Sequence, residues 1–245
     1  MKLLERLARI HPRSKFGRFI RWPGKLIPKM LVVPIQGGIT KGYKWVAGSS
    51  INGCWAGTYE DGMQQAALRN LKPGMIVYDI GANVGFHSLV YSKLVGSRGV
   101  VYAFEPDPNN IVLLQKHIAL NGIDNIVVVS AAVSNKNDVV GFQEQASQGR
   151  LVANSKYLVR CTTMDDFVKM GFPLPNFVKI DVEGAELDVL EGGRGVINAR
   201  SAFWLMGDYK PAQCAPHFAR SGYTIERVAS PMDHENAESD FLARP

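Results

Sequence analysis

The stretch Met75 to Ser88, M-I-V-Y-D-I-G-A-N-V-G-F-H-S, constrains the fold more than any other part of the chain. Met75 to Ile80 is apolar apart from Asp79 and contains β-branched residues. It lies between the turn signal Pro73-Gly74 and a glycine-punctuated segment, so it reads as a buried parallel strand. Gly81 and Gly85 then mark a tight turn into a helix, where glycine lets main-chain N–H groups and a helix N-terminus come close to a bound ligand. On this reading Asp79 lies at the rim of a pocket, and Gly81, Ala82, Asn83 and Gly85 form its cradle.

A second apolar strand, Gly99 to Phe104, ends in Glu105-Pro106, with Glu105 standing 24 positions after Gly81. An acid at the tip of that strand is placed to accept hydrogen bonds from both hydroxyls of a ribose, in dinucleotide-binding and S-adenosylmethionine-binding sheets alike. The pattern Asp79-x-Gly81-x-Asn83-x-Gly85 separates the two ligands. A carboxylate two residues before the first glycine suits a ligand with an ammonium group and would repel a pyrophosphate. A nicotinamide site would also want a third glycine at the turn. The expected cofactor is therefore S-adenosylmethionine, held by Asp79, the Gly81–Gly85 turn, Glu105 and Pro106.

Beyond the turn, helix Gly85 to Leu94, strand Gly99 to Phe104, helix Pro108 to Leu120 and strand Ile126 to Ser130 alternate as βαβαβ. That alternation calls for an α/β fold with a doubly wound, mostly parallel sheet and right-handed crossovers. Ser130 to Val133 leaves the third strand where an adenine ring would lie, which makes Ala131 a cofactor-binding candidate. Val139 to Gln143 and Tyr157 to Cys161 read as two extra strands around a polar, flexible loop, Glu144 to Ser155. Thr162 or Thr163 caps a short helix with Asp165 and Asp166 in its first turn. Phe177 to Ile180 is the fourth core strand and delivers Asp181 to the same sheet edge as Asp79 and Glu105. Helix Ala185 to Leu190, strand Phe203 to Met206, a helix near Gln213 to Ser221 and strand Tyr223 to Val228 follow, the last expected antiparallel at the sheet edge. The tail from Pro231 shows no period and reads as poorly ordered.

Three of these segments, Val77 to Gly85, Phe104-Glu105-Pro106 and Val178 to Glu186, resemble in order the motifs of the FkbM family of S-adenosylmethionine-dependent methyltransferases. The resemblance covers about Tyr59 to Tyr223. It implies a class I methyltransferase that methylates a hydroxyl of a sugar, glycolipid, polysaccharide or related metabolite. It also implies that the Tyr59-Glu60 segment sits beside the cofactor, so Glu60 is a secondary cofactor-binding candidate, set against an exposed helix-cap role. Family members commonly carry Glu near the end of the fifth strand, where this chain has Gly207-Asp208. Two alternatives stand beside this reading. A nucleic-acid amino-methyltransferase would want Asn/Asp-Pro-Pro-aromatic at the fourth strand, where Asp181-Val182-Glu183-Gly184 stands; the other alternative is a non-catalytic cofactor-binding scaffold.

A sugar hydroxyl is a poor nucleophile at neutral pH and needs either a base or a divalent metal. Asp181 is the candidate catalytic proton acceptor, and with Asp208 it is also a candidate ligand for Mg2+ or Mn2+. Glu183 and Glu186 read as caps of the next helix, His87 as a packed side chain, and Lys179 as a side chain that snorkels or pairs with a carboxylate.

A chain of 245 residues with 46% hydrophobic content can bury one α/β domain. That domain is placed at 59–230, between a basic arm with a hairpin at 1–58 and a tail at 231–245. In the hairpin, Met30 to Ile35 and Tyr43 to Ala47 flank Gly37-Gly38 and Gly42. The net charge of +6 is uneven: residues 1–44 hold eleven basic residues and one acid, a balance of +10, which leaves −4 for the remainder. Leu3, Leu4, Leu7 and Ile10 recur at helical spacing among arginines. Residues 1–28 therefore read as a lid on the catalytic domain or on a second subunit of a homo-oligomer, or as a contact to an anionic membrane surface; nucleic acid is not favoured. Cys54, Cys161 and Cys214 are scattered and read as reduced thiols, and no apolar run approaches the roughly 20 residues of a membrane span. A cytoplasmic enzyme is expected, peripheral at the inner membrane surface if the arm binds there.

Overall fold

The computed structural model describes residues 30–145, 148–152, 155, 157–182, 184–207, 211–228 and 240–245. The basic arm expected at residues 1–28, Glu183 and Asp208 lie outside them. Strands β1 (Val32–Pro34) and β2 (Lys44–Val46) pair antiparallel with Val33 opposite Trp45, which is the expected hairpin. A five-residue helix, α1 (Asn52–Ala56), comes before α2 (Asp61–Asn70). Helix α1 is too short to show a period, and the sequence reading does not contain it.

The expected alternation follows in β3 (Ile76–Ile80), α3 (Phe86–Val95), β4 (Val100–Phe104), α4 (Pro108–Leu120) and β5 (Ile126–Val129). Helix α4 starts where its residues dictate, since the Asp107 side chain accepts the Asn109 N–H and Pro108 occupies the first turn. The chain then leaves the main sheet to build a second one from β6 (Ala132–Val133), β7 (Asp138–Gln145), β8 (Gln148–Val152) and β9 (Tyr157–Thr162), in the order β6-β9-β7-β8. Strand β8 lies inside the stretch expected to be a flexible loop. Its residues lack apolar alternation, and main-chain pairing with β7, from Gly141 opposite Val152 to Gln145 opposite Gln148, defines it instead.

Helix α5 (Met164–Lys169) is capped by Thr163, whose Oγ1 accepts the Asp166 N–H at 3.0 Å. Strand β10 (Phe177–Ile180), α6 (Glu186–Glu191), α7 (Arg194–Asn198), β11 (Phe203–Met206), α8 (Pro211–Arg220), β12 (Thr224–Arg227) and β13 (Phe241–Arg244) complete the chain. Helix α7 is a second short helix absent from the sequence reading. Its first N–H groups, on Gly195 and Val196, donate to the Asp165 carboxylate at 2.9 and 3.0 Å, so an acid of the α5 first turn serves a different helix.

The main sheet has the order β12-β13-β11-β10-β3-β4-β5, with β13 antiparallel to both neighbours. Two expectations change here. The antiparallel strand is β13 from the tail, which runs between β11 and β12 and buries Phe241, Leu242 and Ala243; β12 pairs antiparallel with β13 and so runs in the direction of the core strands. Three apolar residues are too few to give a period, and only the slot between two strands makes them a strand.

Residues alternate across the parallel strands between two cores. Tyr78, Ile80, Phe104, Val178, Ile180 and Trp204 face one side, whereas Val77, Val101, Phe177 and Leu205 pack with Leu89 and Tyr91 of α3 and with Trp45 of the hairpin on the other. Both faces are covered, as a doubly wound sheet requires. All three cysteines are buried and none is joined in a disulfide. No described helix is long and apolar enough to cross a membrane.

Candidate active site

A cavity of about 240 Å³ opens at the C-terminal ends of β3, β4 and β10, where parallel sheets take their ligands. The turn after β3 is pinned to β4, because Gly81 N–H and Ala82 N–H both donate to the Phe104 carbonyl, at 3.1 and 3.0 Å. Gly81, Asn83 and Gly85 all have positive φ, at 78°, 51° and 92°. Gly81, Ala82, Asn83 and Val84 line the cavity, whereas Gly85 does not. Close approach to protein explains both glycines: a Cβ on Gly81 would overlap the Asp181 carbonyl oxygen, and one on Gly85 would overlap Leu114 of α4.

Glu105 lines the cavity beside Pro106 and is nearly buried. Its Oε2 accepts the Asn83 N–H at 2.7 Å, while Oε1 accepts the Asp107 N–H at 3.0 Å and Asn110 Nδ2 at 3.2 Å. Burial raises its pKa above the ordinary value despite these donors. A carboxylate offers about four acceptor sites, so one site remains for a ligand hydroxyl where the sequence reading expected two. Asn110, which that reading does not contain, also lines the cavity; it follows Asp107 into the first turn of α4, whose cap aims it at the strand tip. Where the sequence placed an adenine, the lining residues are Ala132, Val133 and Phe142, and Ala131 is not among them. Pairing of Ala132 and Val133 with β9 carries the chain past the cavity one residue later than expected.

The other wall is charged. Asp79 is fully buried and does not line the cavity, so its expected place at the rim is corrected. It lies directly opposite Lys179 in the parallel register of β3 and β10, on the sheet face covered by α3. Ser88 Oγ donates to its Oδ2 at 2.5 Å, and Lys179 Nζ stands 3.5 Å from its Oδ1. The same ammonium lies 3.4 Å from Asp181 Oδ2 and donates to the Gly81 carbonyl at 3.0 Å. Burial alone would lower the Lys179 pKa, but Asp181, Asp79 and Glu60 outweigh it and raise it, so the side chain is charged. Asp181 lines the cavity as expected, and Lys179 pairs with carboxylates as expected.

Glu60 stands at the N-cap position of α2 with φ 46°, yet its side chain makes no cap. It meets His87 instead, with His87 Nε2 2.7 Å from Glu60 Oε2. Burial pushes the Glu60 carboxyl up, but His87, the Tyr59 hydroxyl and Lys179 together hold it below its ordinary value. His87 is packed as expected, stacked on Tyr91 with ring centroids 5.7 Å apart, and it also lines the cavity with Tyr59. No sequence signal joins Glu60 to His87, since they lie 27 residues apart on different helices. Glu186 opens α6, but its Oε1 accepts the Gly184 N–H at 2.8 Å, a group outside the helix, so the bond closes the preceding turn and does not cap the N–H groups of α6.

Among the described residues no group of three or more His, Cys, Asp or Glu is placed to hold a metal ion. Asp181 has the Lys179 ammonium against one oxygen, and that cation opposes a second one.

The FkbM methyltransferase domain matches residues 79–238. The chain belongs to the FkbM methyltransferase family. The match begins at Asp79 and takes in the Glu105 and Asp181 motifs. Hexuronic acid methyltransferase AglP of Haloferax volcanii is 28% identical over 122 residues, covering 48% of this chain and 49% of that protein. A protein-L-isoaspartate O-methyltransferase of Fervidobacterium nodosum is 41% identical over 59 residues, 24% of this chain and 30% of that one. The chain therefore spans about half or less of these curated relatives. A crystal structure of an FkbM methyltransferase from Methylobacillus flagellatus KT superposes with a TM-score of 0.56 at 14% identity, over 95% of this chain and 72% of that one. The family and this neighbour share the class I methyltransferase fold, which agrees with the doubly wound sheet.

Proposed function

We propose that this chain transfers the methyl group of S-adenosylmethionine to a hydroxyl of a sugar, glycolipid, polysaccharide or related metabolite. The observation that carries the reading is a single cavity bounded by Glu105 and the Gly81–Val84 turn on one side and by Asp181 on the other. Bound there, the cofactor supplies an electrophilic methyl group, and the chain supplies position and a proton acceptor. Glu105, with one acceptor site open, takes a ribose hydroxyl, and the turn N–H groups it holds fix its direction. Asp181 accepts the acceptor's hydroxyl proton, and Lys179 keeps that carboxylate in place at 3.4 Å. The excess of carboxylates around Lys179 also suits a ligand with a sulfonium and an ammonium group. The similarity to a hexuronic acid methyltransferase supports a saccharide acceptor.

Transfer of labelled methyl from the cofactor to a panel of glycans tests the reading directly. Asp181→Asn is expected to abolish transfer with cofactor affinity unchanged, and chelators are expected to leave the parent active. Activity lost in chelator and restored by Mg2+ or Mn2+ would move Asp181 to the role of metal ligand. Glu105→Ala should weaken cofactor binding at least about tenfold by titration calorimetry, since a bond to a charged acceptor contributes about 1.5 to 3 kcal/mol. Unchanged affinity would remove Glu105 from the ribose site.

A further inference from the structure

We infer that His117 is a positioning residue for the cofactor, and that through it the β1–β2 hairpin is a working part of the binding site. The inference rests on the proposed function, because the ligand being positioned is S-adenosylmethionine. His117 is fully buried on α4 and does not itself line the cavity. Its Nδ1–H donates to the Val84 carbonyl at 2.8 Å, and its Nε2 accepts the Val46 N–H at 3.1 Å. A carbonyl can only accept and an N–H can only donate, so these two partners define one neutral tautomer. One rigid ring thus joins the hairpin to the turn that lines the cavity, across 71 and 33 residues of sequence.

Neighbouring contacts reinforce the join. Trp45 lies flat on the imidazole with centroids 3.8 Å apart and 8° between planes, and meets Phe86 edge-on at 5.9 Å. Phe86 itself lines the cavity. Asn121, one helical turn beyond His117, accepts the Lys44 N–H at 2.7 Å and donates to the Lys44 carbonyl at 2.9 Å. All three residues of β2 are therefore bound to His117 or to the C-cap Asn121 of α4, or stacked on His117.

The same hairpin reaches a second lip of the cavity. Gln36 N–H donates to the Trp55 carbonyl at 2.9 Å, and Gly37 packs so close to Gly57 that a Cβ on Gly57 would overlap it. Ser50, Ile51, Cys54 and Tyr59 of that lip line the cavity. One element thus contacts both lining segments, the Val84 turn through His117 and the residues around Trp55 and Gly57 directly. Loss of the imidazole leaves a buried N–H and a buried C=O without partners, and the turn is free to move to satisfy its carbonyl. Such a shift carries the Asn83 N–H away from Glu105, and small misplacements of this kind weaken a site sharply.

His117→Phe keeps the ring on Trp45 and removes both hydrogen bonds, so it isolates the positioning effect. Hydrogen exchange of the ligand-free variant is expected to rise at residues 82–85 and to stay at parent level at β10. Its Kd for S-adenosylmethionine, taken well below its Tm, should rise about tenfold or more. The acceptor KM at saturating cofactor should stay within twofold of the parent. If His117→Phe does not fold, His117→Leu, which also removes both hydrogen bonds, takes its place with the same expectations. Exchange and Kd both equal to the parent would overturn the inference, as would faster exchange spread evenly over the sheet. A parent that binds no cofactor would count against the proposed function, while exchange at the turn still decides for or against His117.

Discussion

On the Glu105 side of the cavity the carboxylate is held by main-chain N–H groups of Asn83 and Asp107 and by Asn110, whereas on the Asp181 side the holding partner is the buried Lys179 ammonium. The first side is built mainly from turns and caps: Asp107 and Asn110 lie two and five residues from Glu105, and Asn83 reaches it from the neighbouring strand's turn. The second is built from side chains on β3, β10 and α3 that meet only when the sheet forms. Main-chain donors cannot be deleted by a side-chain substitution, but one lysine can. The two sides should therefore fail in different ways.

The largest effect is expected from Lys179→Met. It leaves Asp79, fully buried, with Ser88 but without its cation, and uncompensated buried charge costs about 3 to 5 kcal/mol. Chemical denaturation should show that loss, and the double variant Asp79→Asn, Lys179→Met should recover part of it. A stability equal to the parent would mean that Asp79 is not held by charge. Next comes Gly81→Ala, at the point where the two sides touch. With φ at 78° and the Asp181 carbonyl in the way, the Cβ must push apart the turn and the end of β10. A loss of about 3 kcal/mol, with both cofactor affinity and turnover reduced, is expected. A variant impaired in only one of the two would show that the sides move independently.

The smallest effect comes from acid. Burial pushes the His117 imidazole down to about 4, so the unfolded chain binds the proton more readily than the fold. Stability from the neutral ring is complete above the unfolded pKa of roughly 6.5 and is lost as pH falls from there towards 4, by about 2 kcal/mol at pH 5. Thermal unfolding of the parent and His117→Phe from pH 7 to 5 measures it, and the variant should show the smaller change. Equal pH slopes would place the acid sensitivity elsewhere.

Much of this molecule is legible because its physics is local. Apolar runs bounded by Pro73-Gly74 and by Gly81 define β3, Asp107-Pro108 starts α4, and the βαβ alternation requires a parallel sheet, so Glu105 and Asp181 reach the same edge by arithmetic alone. What only tertiary structure decided is how side chains far apart in sequence satisfy one another. Asp79 lies behind the wall and not at its rim because Lys179 faces it across two strands and shares its charge with Asp181. Glu60 turns away from its helix because His87 lies within reach. Residues 241–244 become a strand because β11 and β12 leave unpaired main-chain groups between them, and a backbone slot of that kind accepts a segment too short to announce itself.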